Sequence, residues 1–336
     1  LRSAAACALC IYVAINLSIA AAKTFKLVRL TKVESDVSQL AAKRESYNVA
    51  LLGSSEVFYP IFISLSKDNF LSLVIDVPGA SADSARGVVN LSFWGQLISD
   101  DYFWVDGYLK GKGSPKWVVL GVAPRDFYDP ERADVMCTMY AVHVAKWLRL
   151  PHYIAVSQAP LDDVFYLIWR RICYLYDKRD RVVYSLRKFF IGDRSPQSEL
   201  EAAEADRRRH FDVSIDEYKY RYAFISQRNM ELQFRFLERL LDTCQERQIK
   251  VVLINMPLTQ ANKRLLPGGL YPWYCQRLGE TVRAHGASYV NMDGSVLFAD
   301  SDFDDCVHLN EAGGGKLFSR VFQAIDAEKE SANVRR

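Results

Sequence analysis

The chain has 336 residues, half of them hydrophobic and a quarter charged, which is enough apolar content for a full core and carries no compositional mark of disorder. A formal charge of +3, with Lys and Arg interleaved with Asp and Glu, leaves no basic surface for nucleic acid. The seven cysteines, at 7, 10, 137, 173, 244, 275 and 306, are spaced for neither a disulfide framework nor paired zinc knuckles, so no metal or cofactor is expected.

Residues 1–22 contain an uncharged run, Ser3 to Ala22, of the length a helix needs to cross a bilayer. It reads as a single-pass membrane anchor. Its Ala-Ala-Ala ending makes a cleaved signal peptide the rival. Cys7 and Cys10 form a CxxC inside the run and read as small packing residues. Lys23, Lys26, Arg29 and Lys32 follow, and by the positive-inside rule they favour a cytoplasmic main domain. The flank before the run is not weighed against them, since the sequence begins at Leu1 rather than at a methionine.

Residues 23–46 read as a juxtamembrane helix and linker, with Leu27, Leu30, Val33, Val37 and Leu40 forming a loose apolar stripe. At Tyr47 the pattern changes to a buried strand ending in Gly53-Ser54-Ser55. Further strands are expected over 87–93, 116–122, 249–256 and 287–292. Near-continuous Val/Ile/Leu runs separated by helical stretches predict an α/β fold, a parallel sheet flanked by helices, over residues 47–330.

A helical insertion is expected at about 130–215, rich in Trp, Tyr and Arg. Its mixture of aromatic and basic residues suits an interfacial or partner-binding helix, or a plain cap packed on the core. His143 and His152 within it lack metal-ligand spacing, and Arg207 to His210, after an acidic run, reads as a solvated helix. A long helix is expected from about Tyr218 to Arg247, facing inward with Phe224, Met230, Phe234, Leu237, Leu240 and Leu241. The cluster from Tyr271 to Tyr274 reads as an acceptor cleft or as a loop on the core. A last helix after Asn310 turns Leu317, Phe318, Val321 and Phe322 inward.

Two of these places carry chemistry. A serine hydroxyl needs a base, a group to orient that base, and donors for the oxyanion. Ser55 stands at the carboxyl end of the first core strand, where open α/β sheets gather their sites. Asp305 and His308, in D-x-x-H spacing on the last loop, can meet as carboxylate and imidazole.

This order of nucleophile and D-x-x-H resembles the SGNH (GDSL-type) hydrolases, whose flavodoxin-like fold it implies, over roughly residues 47–128 and 249–325. Gly53-Ser54-Ser55-Glu56, the anchor and the insertion are more specifically similar to the membrane-anchored branch of D-alanyl transfer proteins (DltD) and the SGNH-like proteins of alginate O-acetylation. The resemblance implies Ser55, His308 and Asp305 as a triad. It implies a glycine N–H in the oxyanion hole, at the place of Gly95, with Asn90 grouped beside it as a substrate-binding candidate. It also implies an extracytoplasmic domain beside a polytopic membrane acyltransferase, with an acyl donor and a glycan-type acceptor.

The chain departs from the family pattern in two blocks. Ser54 stands where Gly-Asp-Ser has aspartate, and Gly121 to Phe127 lacks the asparagine of the third block. Arg125 then has three readings: oxyanion donor, anion binder, or ion-pair partner of Asp126. The competing functional reading is an inactive scaffold of this fold that holds a membrane partner.

Overall fold

A computed structural model of the chain describes residues 48–64, 88–92, 95–109, 115–128, 211–294 and 296–334, with isolated positions 7, 10–16, 18 and 165. Of the anchor segment, residues 10–16 are helical. No described helix is long and apolar enough to cross a membrane. Cys7 and Cys10 are free, exposed thiols rather than packed ones. The rest of that run, the linker, and the expectations placed on His143, His152 and residues 199–210 lie outside the described residues.

The described strands form one parallel sheet. They are β1 (Val49–Gly53), β2 (Val88–Asn90), β3 (Trp117–Val122), β4 (Lys250–Asn255) and β5 (Ser288–Asn291), in the order β2-β1-β3-β4-β5. Each falls inside the apolar run that predicted it. The order reverses between β1 and β3, and the cleft outside the carboxyl ends of such a pair is where doubly wound sheets bind ligands.

Every residue of β1 and β3 is buried, so the centre of the sheet is covered on both faces. The cover is helical: α1 (Ser55–Ser64) packs with α7 (Glu311–Val334), and α2 (Ile98–Tyr108) with α4 (Gln227–Glu246). Helix α6 (Leu270–Ala284) joins α4, where Phe127, Phe234 and Tyr274 stack with centroids 4.3 and 5.3 Å apart. Such aromatic pairs contribute about 0.5–1.5 kcal/mol each beyond the area they bury. The Tyr271 to Tyr274 cluster is the first turn of α6, with Tyr274 fully buried, so its place is in a core-packed helix and not in a loop.

The long helix expected from Tyr218 to Arg247 is two helices, α3 (Phe211–Arg221) and α4, separated by a turn. Ser226 opens α4 by accepting a hydrogen bond from the Asn229 N–H, a side-chain cap that starts a new helix. Phe224, expected inward, lies in the intervening turn and is 68% exposed, while Met230, Phe234, Leu237, Leu240 and Leu241 are buried. Leu317, Phe318, Val321 and Phe322 of α7 face inward as expected. The boundary of the insertion at about 215 falls inside α3, a helix that belongs with the body of the domain.

Glycines let α1 sit directly on the sheet. Gly53 and Gly121 are register partners on β1 and β3. A Cβ on Gly53 would stand 2.5 Å from the Gly121 carbonyl oxygen, and one on Gly121 would stand 2.3 Å from Val57 of α1. Gly53 also has φ +134°, which L side chains rarely adopt. The chain therefore turns sharply after β1 and presents the first turn of α1 at the crossover.

Candidate active site

Ser54 and Ser55 are adjacent but differently employed. Ser54 precedes α1, its carbonyl accepting from the Val57 N–H at 3.1 Å, and its hydroxyl faces Asp126. Ser55 opens α1 and is 5% exposed. The first backbone N–H groups of a helix have no partner within it and carry its positive dipole end, so they point toward any anion formed at Ser55.

Asp305 and His308 form the expected pair, and the local fold explains why. One Asp305 oxygen, Oδ1, accepts from the Val307 and His308 N–H groups at 2.8 and 2.7 Å. This side-chain turn brings the chain back on itself. The other oxygen, Oδ2, then lies 2.7 Å from His308 Nδ1. A short bridge between Phe303 and Leu309, with the Asp304 N–H donating to the His308 carbonyl at 2.8 Å, closes the loop.

Electrostatics follow from this contact. Burial by itself would raise the Asp305 carboxyl, but the hydrogen bond and charge of His308 and the two backbone donors hold it below its ordinary range. Burial would lower the His308 imidazole. Asp305 outweighs that and raises it, with Glu56 and Glu217 adding to the rise. The imidazole is thus a stronger base than a free one, and its protonated form is stabilised where it would arise in catalysis.

The loop is strapped to the body through Cys306. Its N–H donates to Ser214 Oγ of α3 at 3.1 Å, and its carbonyl accepts from Thr259 Oγ1 at 2.7 Å. Asn262, in the short helix α5 (Gln260–Lys263), reaches its Sγ at 3.6 Å and accepts from the Tyr222 hydroxyl at 3.1 Å. Burial pushes the Cys306 thiol up to about 11, so it is inert as a nucleophile at neutral pH. On the far side, Asn310 accepts from the Gly313 N–H at 3.1 Å and caps α7.

Helix α1 reaches this loop through Tyr59. Its hydroxyl donates to Asp304 Oδ2 at 2.9 Å, and its ring centroid lies 5.3 Å from that of His308. Ser55 is one turn earlier on the same helix face. The triad candidates are brought to one end of the sheet, although no hydrogen bond between Ser55 and His308 is among those of the described residues.

The remaining candidates sit where β2 and β3 end. Gly95 has φ +71°, in the turn before α2. Asn90 is buried and its Oδ1 accepts from the Ser92 N–H at 3.0 Å and from the Ser92 hydroxyl, so its carbonyl serves its own turn. Arg125, 4% exposed in the turn Pro124–Phe127, has Nη1 3.7 Å from Asp126 Oδ1. Of its three readings, the ion pair has a contact among the described residues, at a distance too long for a hydrogen bond.

Sequence reasoning missed the acid cluster beneath the site. Asp101 accepts from the Gly53 N–H at 3.1 Å and from Gln96 Nε2 at 2.7 Å, and burial, with Asp126 and Asp100 nearby, pushes its carboxyl well up. Burial and the charge of Glu56 likewise push Asp126 up, against Arg125. Glu56 is 1% exposed, with neither carboxylate oxygen hydrogen-bonded among the described residues. No group of His, Cys, Asp and Glu that could hold a metal ion occurs among the described residues. Compared with known proteins, the chain matches no family model and no curated protein.

Proposed function

We propose that this chain is a serine esterase or O-acyltransferase of the SGNH type, tethered by its N-terminal segment with the catalytic domain outside the cytoplasmic membrane. Ser55 Oγ attacks an ester or thioester carbonyl while His308 takes its proton. Asp305 holds the His308 tautomer through Nδ1 and stabilises the imidazolium. The tetrahedral oxyanion is received by backbone N–H groups of Ser55 and Gly95. Collapse expels the alcohol or thiol, which regains the proton from His308 and leaves an acyl-Ser55. Water or a glycan hydroxyl then takes the acyl group by the reverse steps, the donor being delivered beside a polytopic membrane acyltransferase.

The observation that carries this reading is the 2.7 Å contact of Asp305 Oδ2 with His308 Nδ1, on a loop tied to the helix that Ser55 opens. An Asp–His pair on a loop that Tyr59 ties to α1 supplies what a serine base requires. The test is labelling of the purified chain with a fluorophosphonate probe. Wild type is expected to label and Ser55→Ala to lose all labelling; undiminished labelling of that variant would sink the assignment.

A second reading, an inactive scaffold for a membrane partner, is favoured by Arg125, which sits in an ion pair where the family has its oxyanion asparagine. That reading predicts no labelling of the wild-type chain at all.

A further inference from the structure

We infer that Tyr59 is a positioning residue of this site, clasping the loop of His308 to the helix that opens with Ser55. The inference rests on the serine-nucleophile reading above. Tyr59 makes two contacts with the loop at once, through its hydroxyl to Asp304 Oδ2 at 2.9 Å and through its ring to His308 at a centroid distance of 5.3 Å and an interplanar angle of 53°. Those two loop residues are themselves joined, since the Asp304 N–H donates to the His308 carbonyl at 2.8 Å.

The straps from Ser214, Thr259 and Asn262 all act through Cys306, and none of them belongs to α1. They fix where the loop sits on the body of the domain. Tyr59 fixes how the imidazole stands relative to α1, because it lies four residues after Ser55 and so one helical turn away on the same face. Pro60, immediately after it, has no N–H to bond the Glu56 carbonyl, so α1 lacks one of its own hydrogen bonds at this level. The Asp305–His308 contact needs no help from Tyr59, because the Asp305 turn makes it locally. What Tyr59 governs is proton transfer from Ser55, a step in which a displacement of about 1 Å can cost about a hundredfold in rate.

The experiment is the rate of fluorophosphonate labelling, together with kcat and KM on an aryl ester, for wild type, Ser55→Ala, Tyr59→Phe, Tyr59→Leu, Asp304→Ala and the Tyr59→Phe/Asp304→Ala double variant. Tyr59→Phe and Asp304→Ala are each expected to slow labelling about tenfold, and the double variant no further, as for two ends of one bond. Tyr59→Leu, losing the ring as well, is expected to slow it about a hundredfold. The loss should fall on kcat with KM unchanged, and melting temperatures should stay within about 3 °C of wild type.

Full-rate labelling by Tyr59→Phe and Asp304→Ala, with Ser55→Ala inert, overturns the clasp and leaves the nucleophile standing. Multiplicative losses in the double variant, or losses that track a fall in melting temperature, also overturn it. Undiminished labelling of Ser55→Ala overturns both readings together.

Discussion

The two sides of the proposed site are built differently. On the base side, residues 303–310 bond to one another and, through Cys306 and Asp304, to α3, to the Thr259–Asn262 segment and to α1, and the result is an imidazole aimed by a carboxylate. On the anion side, polar groups at and beside the ends of β1, β2 and β3 are spent on one another: Asn90 serves Ser92, Arg125 meets Asp126, and Asp101 of α2 takes the Gly53 N–H. The base is supplied by side chains, whereas the described donors for an oxyanion reduce to backbone. Charge on a substrate would thus be met by helix and turn N–H groups, with the carboxyls of Asp101 and Asp126 beneath them pushed up by burial.

Breaking the base side should have the largest effect. Asp305→Asn is expected to lower the labelling rate by about 10³–10⁴, since the imidazole loses both its tautomer and its counter-charge. Stability gives a second view of the same pair. His308 is raised above the ordinary 6.5, so its share is fully present below that value and is lost as pH climbs through its folded pKa. Asp305 is lowered from the ordinary 3.8, so its share is present above that value and is lost as pH falls through its folded pKa. The stability gap between wild type and Asp305→Asn, measured by urea unfolding, should therefore be widest between about pH 4 and 6.5 and narrow on both sides. A gap flat from pH 3 to 9 would contradict the pairing.

The anion side is sharpened by Arg125→Met. Removing one partner of a buried ion pair typically costs about 3–5 kcal/mol, so this variant should unfold at clearly lower urea while labelling at near wild-type rate under folding conditions. If instead labelling collapses with stability intact, Arg125 faces the oxyanion and the contrast between the two sides is wrong.

Glu56→Gln is the mildest test, and it links the sides. The Glu56 charge contributes to the raised basicity of His308, after Asp305. Its removal should shift the acid limb of the rate profile to lower pH, because a less basic imidazole is freed of its proton sooner as pH rises. A shift to higher pH would mean that Glu56 acts on the site by another route.

What could be read in the sequence follows the range over which each feature is encoded. The strands were legible because each is a continuous apolar run, and Asp305 with His308 because four consecutive residues contain the whole turn. The break before α4 was hidden, since Tyr222, Phe224 and Ile225 continue an apolar helical pattern through the turn. Ser226, with Asn229 three residues on, was the signal that could have found it. The straps from Ser214, Thr259 and Asn262 had no such signal. They lie 92, 47 and 44 positions from Cys306, and ordinary polar residues acquire a role there only through the fold. The burial of Asp101 and Asp126 likewise has no signal in the neighbouring sequence and arises only when their segments pack in the fold.

Strapping at Cys306 has a consequence for how this molecule opens. Its amide is bonded across the domain to α3, and its carbonyl to the residue that caps α5, so the loop cannot swing out like a lid without parting both. In hydrogen exchange, the Cys306 amide should fall in the same slow cooperative unit as the central strands, although it sits in a loop. On the proposed function, substrate would reach Ser55 from the side of α1, with the loop of His308 staying in place.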